Sequence, residues 1–284
     1  MRRLLIVGCG DVVRRVLPAL ARRWRIMALV RSRDPALAAL GVRQIVGDLD
    51  DRATLARLAG IAHAVLHSAP PAAAGMDDAR TARLLAVLAK GRALRRVVYI
   101  STSGVYGDCA GERVPETRPL HAESARAQRR VAAEGLLRDF GRRRRCTVSL
   151  LRAPGIYAAD RLPLDRLRRG LPLLLPIEDS FTNHSHATDL GRACIAALAR
   201  GRPGRAYNIC DDSALAMGDW FDLLAARFKL PRAPRVSRRE AQQSLPEMQW
   251  SFMRESRRLE NTRMKRELKL RLLFSRVADG IDPS

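Results

Sequence analysis

Two glycines interrupt the chain directly after its first apolar run. The segment reads MRRLLIVGCGDVV, and helical periodicity follows it. Gly8 permits a tight turn and Gly10 lets the main chain approach a ligand, while the N–H groups of the next helix face outward. A strand, a glycine turn and a helix in this order predict a dinucleotide-binding βαβ unit. The residues expected to contact the dinucleotide are Gly8, Cys9, Gly10, Asp11, Val12 and Val13.

Short apolar segments alternate with helix-period segments through the first half of the chain. This alternation predicts a Rossmann-type, doubly wound parallel sheet flanked by helices, because parallel strands need long crossovers. After residue 151 the pattern changes: prolines at positions 154, 163, 172 and 176 interrupt irregular chain, which indicates a smaller, mostly helical C-terminal lobe. We expect a dinucleotide-binding domain over residues 1–155 and a substrate-side lobe over 156–284, interleaved as one compact unit. The predicted strands span residues 4–7, 26–30, 44–46, 64–66, 97–100, 147–151 and 205–210, and helices are expected over 189–199 and 256–270.

The chain has 284 residues and a formal net charge of +23, a balance that is typical of nucleic-acid-binding proteins. Lysine occurs only at positions 90, 229, 265 and 269, which leaves 48 arginines among the 52 basic residues, spread over nearly every predicted helix. Such diffuse arginine indicates a compositional bias, and no zinc-finger spacing or RNA-binding aromatic signature accompanies it. We therefore expect no specific nucleic-acid partner.

No apolar run approaches the length that spans a bilayer, and the first apolar stretch is shorter than a signal peptide needs. The five cysteines are an odd number without paired metal-ligand spacing, which argues against a disulfide framework and a metal site. These features predict a cytoplasmic protein without a membrane or metal partner. We expect a monomer or homodimer that binds a small-molecule substrate.

Polar residues follow the second and third predicted strands, where the adenosine end of a dinucleotide would lie. Arg31, Ser32 and Arg33 stand where an acidic residue usually selects NAD(H), and arginine there favours the 2′-phosphate of NADP(H). The alternative is that an arginine lies there by chance. We expect Asp48 to accept from an adenine amino group and Asp50 to cap the next helix. The remaining predicted cofactor contacts are Leu49, Ser68, Ala69 and Pro70.

A hydroxyl-rich stretch, YISTSGVYG over residues 99–107, ends the fifth predicted strand. With the glycine turn, the GD pair at 47–48, LRAPGIY at 151–157, NHSHATDL at 183–190 and YNI at 207–209, it resembles the extended or atypical short-chain dehydrogenases/reductases, the NAD-dependent epimerase/dehydratase family. The resemblance covers nearly the whole chain and implies an oxidoreductase or epimerase/dehydratase, with nucleotide sugars as the commonest substrates. It also implies that Thr102 hydrogen-bonds the substrate in catalysis; the alternative is a hydroxyl that stabilises the turn.

The chain departs from the family pattern on the next helix. The catalytic tyrosine and lysine of the family lie four residues apart, and the Ala133-Glu134 pair, which sets the register, places Arg126 and Arg130 at these positions. A guanidinium stays charged and cannot relay a proton. Arg130 is expected to anchor ribose hydroxyls or a phosphate, and Arg126 to bind an anionic substrate or stabilise an oxyanion.

Two functions remain open at this point. In the first, the protein is an atypical reductase or epimerase that uses another proton donor. In the second, it is a catalytically inactive NADP(H)-binding interaction or sensor module. The candidates for the proton donor are Tyr106, Tyr157, His184 and His186, and the last three, with Arg152, are the expected substrate-side residues.

Overall fold

The structure is a computed structural model that describes residues 1–282, apart from the side chain of Met248. Its centre is a sheet of parallel strands. In chain order, these strands are β1 Arg2–Val7, β2 Trp24–Val30, β3 Arg43–Val46, β4 Ala64–His67, β5 Arg96–Thr102, β6 Thr147–Ala153 and β7 Arg205–Asn208.

The strand order across the sheet is β7-β6-β5-β4-β1-β2-β3, and each pairing is parallel. The order reverses between β1 and β4, so the crossovers diverge there and a crevice opens beyond the carboxyl ends of the strands. The predicted Rossmann-type sheet is confirmed. Most strands extend one or two residues beyond their predicted ends, and the last strand ends at Asn208 instead of residue 210.

Helices cover both faces of the sheet and build the C-terminal lobe. The α-helices of the described residues are α1 Asp11–Arg14, α2 Leu17–Ala21, α3 Pro35–Ala39, α4 Ala79–Leu88, α5 Ala125–Arg144, α6 Leu164–Arg168, α7 Ala187–Arg200, α8 Met217–Arg227, α9 Arg238–Ser244, α10 Glu247–Met253 and α11 Thr262–Glu267. The 3₁₀ segments are Arg52–Leu58, Ser103–Tyr106, Ala159–Arg161, Pro176–Glu178 and Val277–Gly280. Within residues 1–282, none of the helices is long and apolar enough to cross a bilayer.

Alternate residues of the central strands enter two separate cores. Leu4 and Ile6 of β1 face the core that contains α1, α2 and α7, whereas Leu5 and Val7 face the core that contains α4 and α5. Side chains of a strand alternate between the two faces of the sheet, so a strand covered on both faces is apolar throughout. This is why the buried strands form continuous apolar runs in the sequence.

The chain leaves the sheet after β6 and returns to it once. Between these points it forms α6 and then α7, which packs on the same face as α1 and leads to β7 beside β6. Helix α8 supplies Trp220, Phe221 and Leu224 to a separate core of the C-terminal lobe. Four pairs of short strands complete the lobe and its connections: Arg113–Val114 with Arg258–Leu259, Gly155–Tyr157 with His184–His186, Leu173–Leu174 with Arg235–Val236, and Phe181–Thr182 with Leu215–Ala216.

The helix expected over residues 256–270 is wrong for its first half, since only Thr262–Glu267 is helical. Arg258 donates its main-chain N–H to the Glu112 carbonyl at 2.9 Å, and Glu260 donates to Val114 at 3.1 Å. These bonds hold the segment extended beside Arg113–Val114. Long-range backbone pairing therefore overrides the local helix propensity.

A glycine of α7 permits the close approach of α7 to α1. A Cβ at Gly191 would lie 2.6 Å from Cγ1 of Val16 and 2.9 Å from the main-chain oxygen of Val12. Val13, at the third position of the glycine fingerprint, is buried in the same core. The glycine that allows close packing of the helix after the glycine turn is therefore Gly191 of the opposing helix α7.

We expect Gly191→Ala to lower the free energy of unfolding by about 1–3 kcal/mol, because its methyl group overpacks the contact between α7 and α1. Gly135→Ala is the matched control: a Cβ at Gly135, in the interior of α5, meets nothing within 4 Å. Alanine is about 1 kcal/mol more favourable than glycine inside a helix, so this variant should be stabilised. Urea unfolding of both variants checks the prediction, and equal effects at the two positions would contradict it.

Candidate functional site

A cleft lies beyond the carboxyl ends of the strands and consists of two hollows that share Gly8, Ala69 and Pro70. The first, which we call the Thr102 hollow, encloses about 440 Å³ between the glycine turn and the ends of β5 and β6. The second, the Arg31 hollow, encloses about 520 Å³ beside the ends of β1, β2 and β3. A parallel sheet of this topology binds its ligand at this edge.

The glycine turn provides close contact on one side and open space on the other. Gly8 has φ of 90°, and a Cβ there would lie 2.4 Å from the main-chain nitrogen of Ala69. The Ser68 hydroxyl donates to the Gly8 carbonyl and so joins the turn to the end of β4. At Gly10, by contrast, a Cβ would meet nothing within 4 Å. Since Gly10 lines the Thr102 hollow, the room that a side chain would occupy is left to the cleft.

The other predicted turn residues divide between the two hollows. Cys9 lines the Arg31 hollow, and burial raises the pKa of its thiol, so the thiol is protonated at neutral pH. Asp11, Val12 and Val13 line the Thr102 hollow. The Asp11 carboxylate accepts from Arg161 at 2.9 Å.

Three arginines and two aspartates line the Arg31 hollow, namely Arg14, Arg31, Arg80, Asp34 and Asp48. Arg14 forms an ion pair with Asp34, and Arg80 forms one with the neighbouring Asp50. Arg31 forms no ion pair with any described carboxylate, so its charge is available to a ligand. The predicted contacts Arg31, Ser32, Asp48, Leu49, Ala69 and Pro70 all line this hollow.

Two predictions at this end of the cleft need correction. Arg33 lines a different hollow, because the Gln44 side-chain amide accepts from the Asp34 N–H and donates to the Asp34 carbonyl, both at 2.7 Å, and draws this segment onto β3. Asp50 is not the helix cap: the side chain of Asp51 accepts from Ala53 at the start of the 3₁₀ segment.

Two neighbouring hydroxyls at the end of β5 present opposite polarities to the Thr102 hollow. Oγ1 of Thr102 accepts from the N–H of Gly104 at 3.2 Å, which leaves its O–H free to donate to a ligand. Oγ of Ser101 donates to Oε1 of Glu134 at 2.7 Å, so its lone pairs are available to accept. The turn-stabilising and ligand-binding interpretations of Thr102 are therefore compatible. Sequence analysis missed Ser101, although it lies within the hydroxyl-rich stretch.

Both arginines of α5 that sequence analysis singled out line the Thr102 hollow. Nη1 of Arg130 donates to the Tyr99 hydroxyl at 2.8 Å and to the Ile100 carbonyl at 2.9 Å, which fixes this guanidinium. The guanidinium of Arg126 lies 4.2 Å from the ring centre of Phe252 and forms no ion pair with the described carboxylates. Burial lowers the pKa of Arg126, so an anion in the hollow would compensate a partly desolvated charge.

The two tyrosines proposed as proton donors lie in the interior, outside the cleft. The Tyr106 hydroxyl donates to Asn208 at 2.7 Å and accepts from Arg152 at 2.8 Å, and burial raises the pKa of Tyr106 to about 12. The Tyr157 hydroxyl donates to the Arg276 carbonyl at 3.3 Å, and burial raises its pKa as well. Neither ring lines the Thr102 hollow.

The two histidines proposed for the substrate side also lie in the interior. The rings of His184 and Trp220 pack with centres 4.6 Å apart, and burial lowers the pKa of His184 to about 3. Nδ1 of His186 accepts from the N–H of Thr188 at 3.2 Å, which caps α7. These contacts hold both imidazoles in the interior, away from the cleft.

Arg152 belongs to a buried ion pair, which corrects its expected position on the substrate side. Its Nη2 and Nε donate to the two carboxylate oxygens of Glu134 at 2.7 and 3.0 Å. Arg152 is 2% and Glu134 1% exposed. A remaining N–H of Arg152 binds Tyr106, and Glu134 also accepts from Ser101. The pair therefore joins α5 to β5 and β6 behind the cleft.

The model of the NAD dependent epimerase/dehydratase family matches residues 12–210. The chain belongs to this family. Among curated proteins, the dTDP-D-glucose 4,6-dehydratase of Homo sapiens is 26% identical over 124 residues, which cover 41% of this chain and 35% of that protein. The chain thus matches about a third of the length of its curated relatives.

Solved structures resemble the whole chain of this family member. A functionally unknown conserved protein from Silicibacter pomeroyi DSS is 30% identical with a TM-score of 0.81, over 99% of this chain and 97% of that chain. A dTDP-glucose 4,6-dehydratase, DesIV from Streptomyces venezuelae, has NAD and TYD bound; it is 22% identical with a TM-score of 0.78, over 98% of this chain and 94% of that chain. The second likeness supports the fold.

We expect Arg152→Met to lower the free energy of unfolding by about 3–5 kcal/mol, because it leaves the Glu134 carboxylate buried without its partner. Arg152→Met combined with Glu134→Gln should be at least about 1 kcal/mol more stable than Arg152→Met alone, since the amide carries no charge. Denaturant unfolding of the three proteins checks this. A single variant as stable as the parent would refute the structural role of the pair.

Proposed function

We propose that the protein binds NADP(H) in the cleft and transfers a hydride between this cofactor and a small anionic substrate. The observation that carries the proposal is that Arg31 and Arg126 line opposite parts of one cleft and that neither guanidinium pairs with a described carboxylate. The glycine turn between them leaves open space above Gly10. A long ligand with phosphate at one end and an anionic substrate beside its other end fits this distribution of charge.

The choice of NADP(H) over NAD(H) rests on Arg31 and Ser32. A carboxylate after the second strand would bind the ribose hydroxyls of NAD(H), whereas a guanidinium binds a 2′-phosphate in a bidentate manner. Asp34, the next acidic residue along the chain, is already paired with Arg14 and caps α3. This pairing leaves Arg31 as the side chain suited to the 2′-phosphate.

The residues of the Thr102 hollow can polarise a carbonyl group. When bound, the nicotinamide ring supplies or takes up a hydride. The Thr102 hydroxyl donates a hydrogen bond to the substrate oxygen, and the Arg126 guanidinium stabilises negative charge on it or on a neighbouring acid group. In the direction of reduction, the substrate carbon gains the hydride and its oxygen gains a proton from water.

The substrate class follows from the charge of Arg126 and from the family. The named curated relatives are dTDP-D-glucose dehydratases, and a nucleotide-activated sugar carries phosphates that a guanidinium binds. Nucleotide sugars and small carboxylate-bearing carbonyl compounds are therefore the first substrates to test.

A second candidate function is the catalytically inactive NADP(H)-binding module. It is favoured by the composition of the Thr102 hollow, whose described lining contains no tyrosine, histidine, lysine or cysteine. Under this alternative, the purified protein binds NADPH but does not oxidise it with any of the nucleotide sugars or carboxylate-bearing carbonyl compounds.

We expect the parent protein to bind NADPH at least about tenfold more tightly than NADH, because a charge-assisted bond to the 2′-phosphate contributes about 1.5–3 kcal/mol. Arg31→Ala should remove most of this difference and leave the affinity for NADH nearly unchanged. Isothermal titration calorimetry with both cofactors measures the four dissociation constants. Equal affinities of the parent for the two cofactors would disprove the preference.

Gly10→Val is the control for the position of the cofactor. Its side chain fills the open space above Gly10, so a folded variant should lose affinity for NADPH and NADH alike. Unchanged affinity for both would show that the cofactor does not lie against the turn.

We expect Thr102→Val to reduce kcat about 100-fold or more, because the substrate oxygen loses a hydrogen-bond donor, while the NADPH affinity changes less than about twofold. Thr102→Ser keeps the hydroxyl and should recover most of the activity. The measurement is steady-state NADPH oxidation with a substrate identified among the nucleotide sugars and carbonyl compounds named above. If both variants turn over at the parent rate, Thr102 has no role in catalysis.

A further inference from the structure

A hollow outside the cleft is lined by five arginines and no acidic residue. We call this group, Arg3, Arg25, Arg33, Arg43 and Arg57, the arginine hollow. It encloses about 330 Å³ along β2 and the edge strand β3, and it shares no lining residue with either part of the cleft. Four apolar residues also line it: Met27, Ile45, Val46 and Ile61.

The strand register brings the like charges together. Arg3 of β1 lies directly opposite Arg25 of β2, and Arg43 of β3 lies opposite Met27, two residues farther along β2. Side chains two residues apart on a strand point to the same face, so these three arginines project to one side of the sheet. Arg57 reaches the hollow from the last turn of the 3₁₀ segment that packs on this face.

The charges of this group are not neutralised within the described residues. None of the five guanidinium groups takes part in an ion pair there, and Nε of Arg3 is buried without a hydrogen-bond partner. Like charges directly opposite each other on neighbouring strands destabilise a sheet. An anion bound between them would relieve this repulsion and satisfy the buried N–H.

A second basic hollow shows that arginine content alone does not produce this arrangement. The hollow beside β7 also contains several cations, but Glu116 and Glu267 line it too. Arg205 pairs with Glu267 at 2.6 Å, and Arg263 lies 3.4 Å from Glu116. Three of the five cations of that hollow thus form ion pairs, whereas none of the five arginines of the arginine hollow does so within the described residues.

We infer that the arginine hollow binds a phosphate polyanion, either a free oligophosphate such as the triphosphate of a nucleotide or a short stretch of a nucleic-acid backbone. A guanidinium binds phosphate oxygens in a bidentate manner, and linked phosphates bring several charges into a small volume. In an extended acidic peptide, charges on one face of the strand are single and lie about 6.6 Å apart. This spacing fits five guanidinium groups that line one hollow less well. The apolar lining residues of the hollow are suited to contact with a nucleobase or ribose.

The test uses the full chain and three probes: inorganic tripolyphosphate, a single-stranded deoxyoligonucleotide of ten residues, and poly-glutamate. The variant is Arg25→Gln combined with Arg43→Gln, since both arginines are exposed and their replacement leaves the core intact. The matched control removes two exposed charges from the C-terminal lobe, Arg169→Gln combined with Arg232→Gln. Arg31→Gln serves as a control for binding in the cleft.

We expect the Arg25/Arg43 variant to weaken binding of tripolyphosphate, the oligonucleotide or both about tenfold or more, and the C-terminal control to change it less than about twofold. If tripolyphosphate binds, the source is a free oligophosphate; if the oligonucleotide alone binds, it is a nucleic-acid backbone. In the second case, we compare how the association constant of the oligonucleotide depends on salt in the variant and in the parent. The slope of its logarithm against log salt should be smaller in magnitude by about 1.4 in the variant, which corresponds to two lost phosphate contacts on a single strand.

The inference would be overturned if neither phosphate probe bound the parent protein. It would also be overturned if the C-terminal control, or Arg31→Gln, lost as much affinity for the probes as the Arg25/Arg43 variant does. Binding of poly-glutamate as tight as that of the phosphate probes, with the same dependence on Arg25 and Arg43, would identify an acidic peptide instead. Thermal unfolding of every variant establishes that a loss of affinity does not arise from unfolding.

Discussion

The buried ion pair between Glu134 and Arg152 is the interaction on which the geometry of the cleft depends. Arg152 comes from β6, Glu134 from α5, and Ser101 of β5 binds the same carboxylate. Two charges in an apolar interior are tolerated only when each is paired and hydrogen-bonded, as here. The pair therefore fixes the rotation of α5 against the sheet. That rotation turns Arg130 and Arg126, one and two helical turns before Glu134, toward the Thr102 hollow.

The chemistry available in the cleft follows from which side chains reach it. Guanidinium groups and hydroxyl side chains line the Thr102 hollow, whereas the tyrosines and histidines that carry titratable protons are held in the interior by hydrogen bonds and ring packing. Such a cleft binds and polarises an anionic ligand readily. It has no described side chain that exchanges a proton near neutral pH, so proton transfer would involve water.

Arginine has two distinct uses in this chain. Many guanidinium groups are paired with carboxylates, as at Asp34, Glu134 and Glu267, and these pairs join separate elements of the fold. More than half of the 48 arginines form no ion pair with a described carboxylate, and among these Arg31, Arg126 and the members of the arginine hollow also line hollows. Net charge does not distinguish the two uses. The unpaired groups that line a hollow are the ones placed to balance the charge of an external anion.

The sequence by itself determined the sheet and the turn at its edge. Buried parallel strands require continuous apolar runs, and a glycine turn requires residues without side chains, so both are visible in local patterns. Tertiary structure decided the rest. Tyr106 and His184 could not be assigned to the interior in advance, because burial depends on partners such as Asn208 and Trp220 that are distant in the chain. The placement of Arg3, Arg25 and Arg43 on one face of the sheet likewise depends on the register of three strands, which the tertiary structure sets.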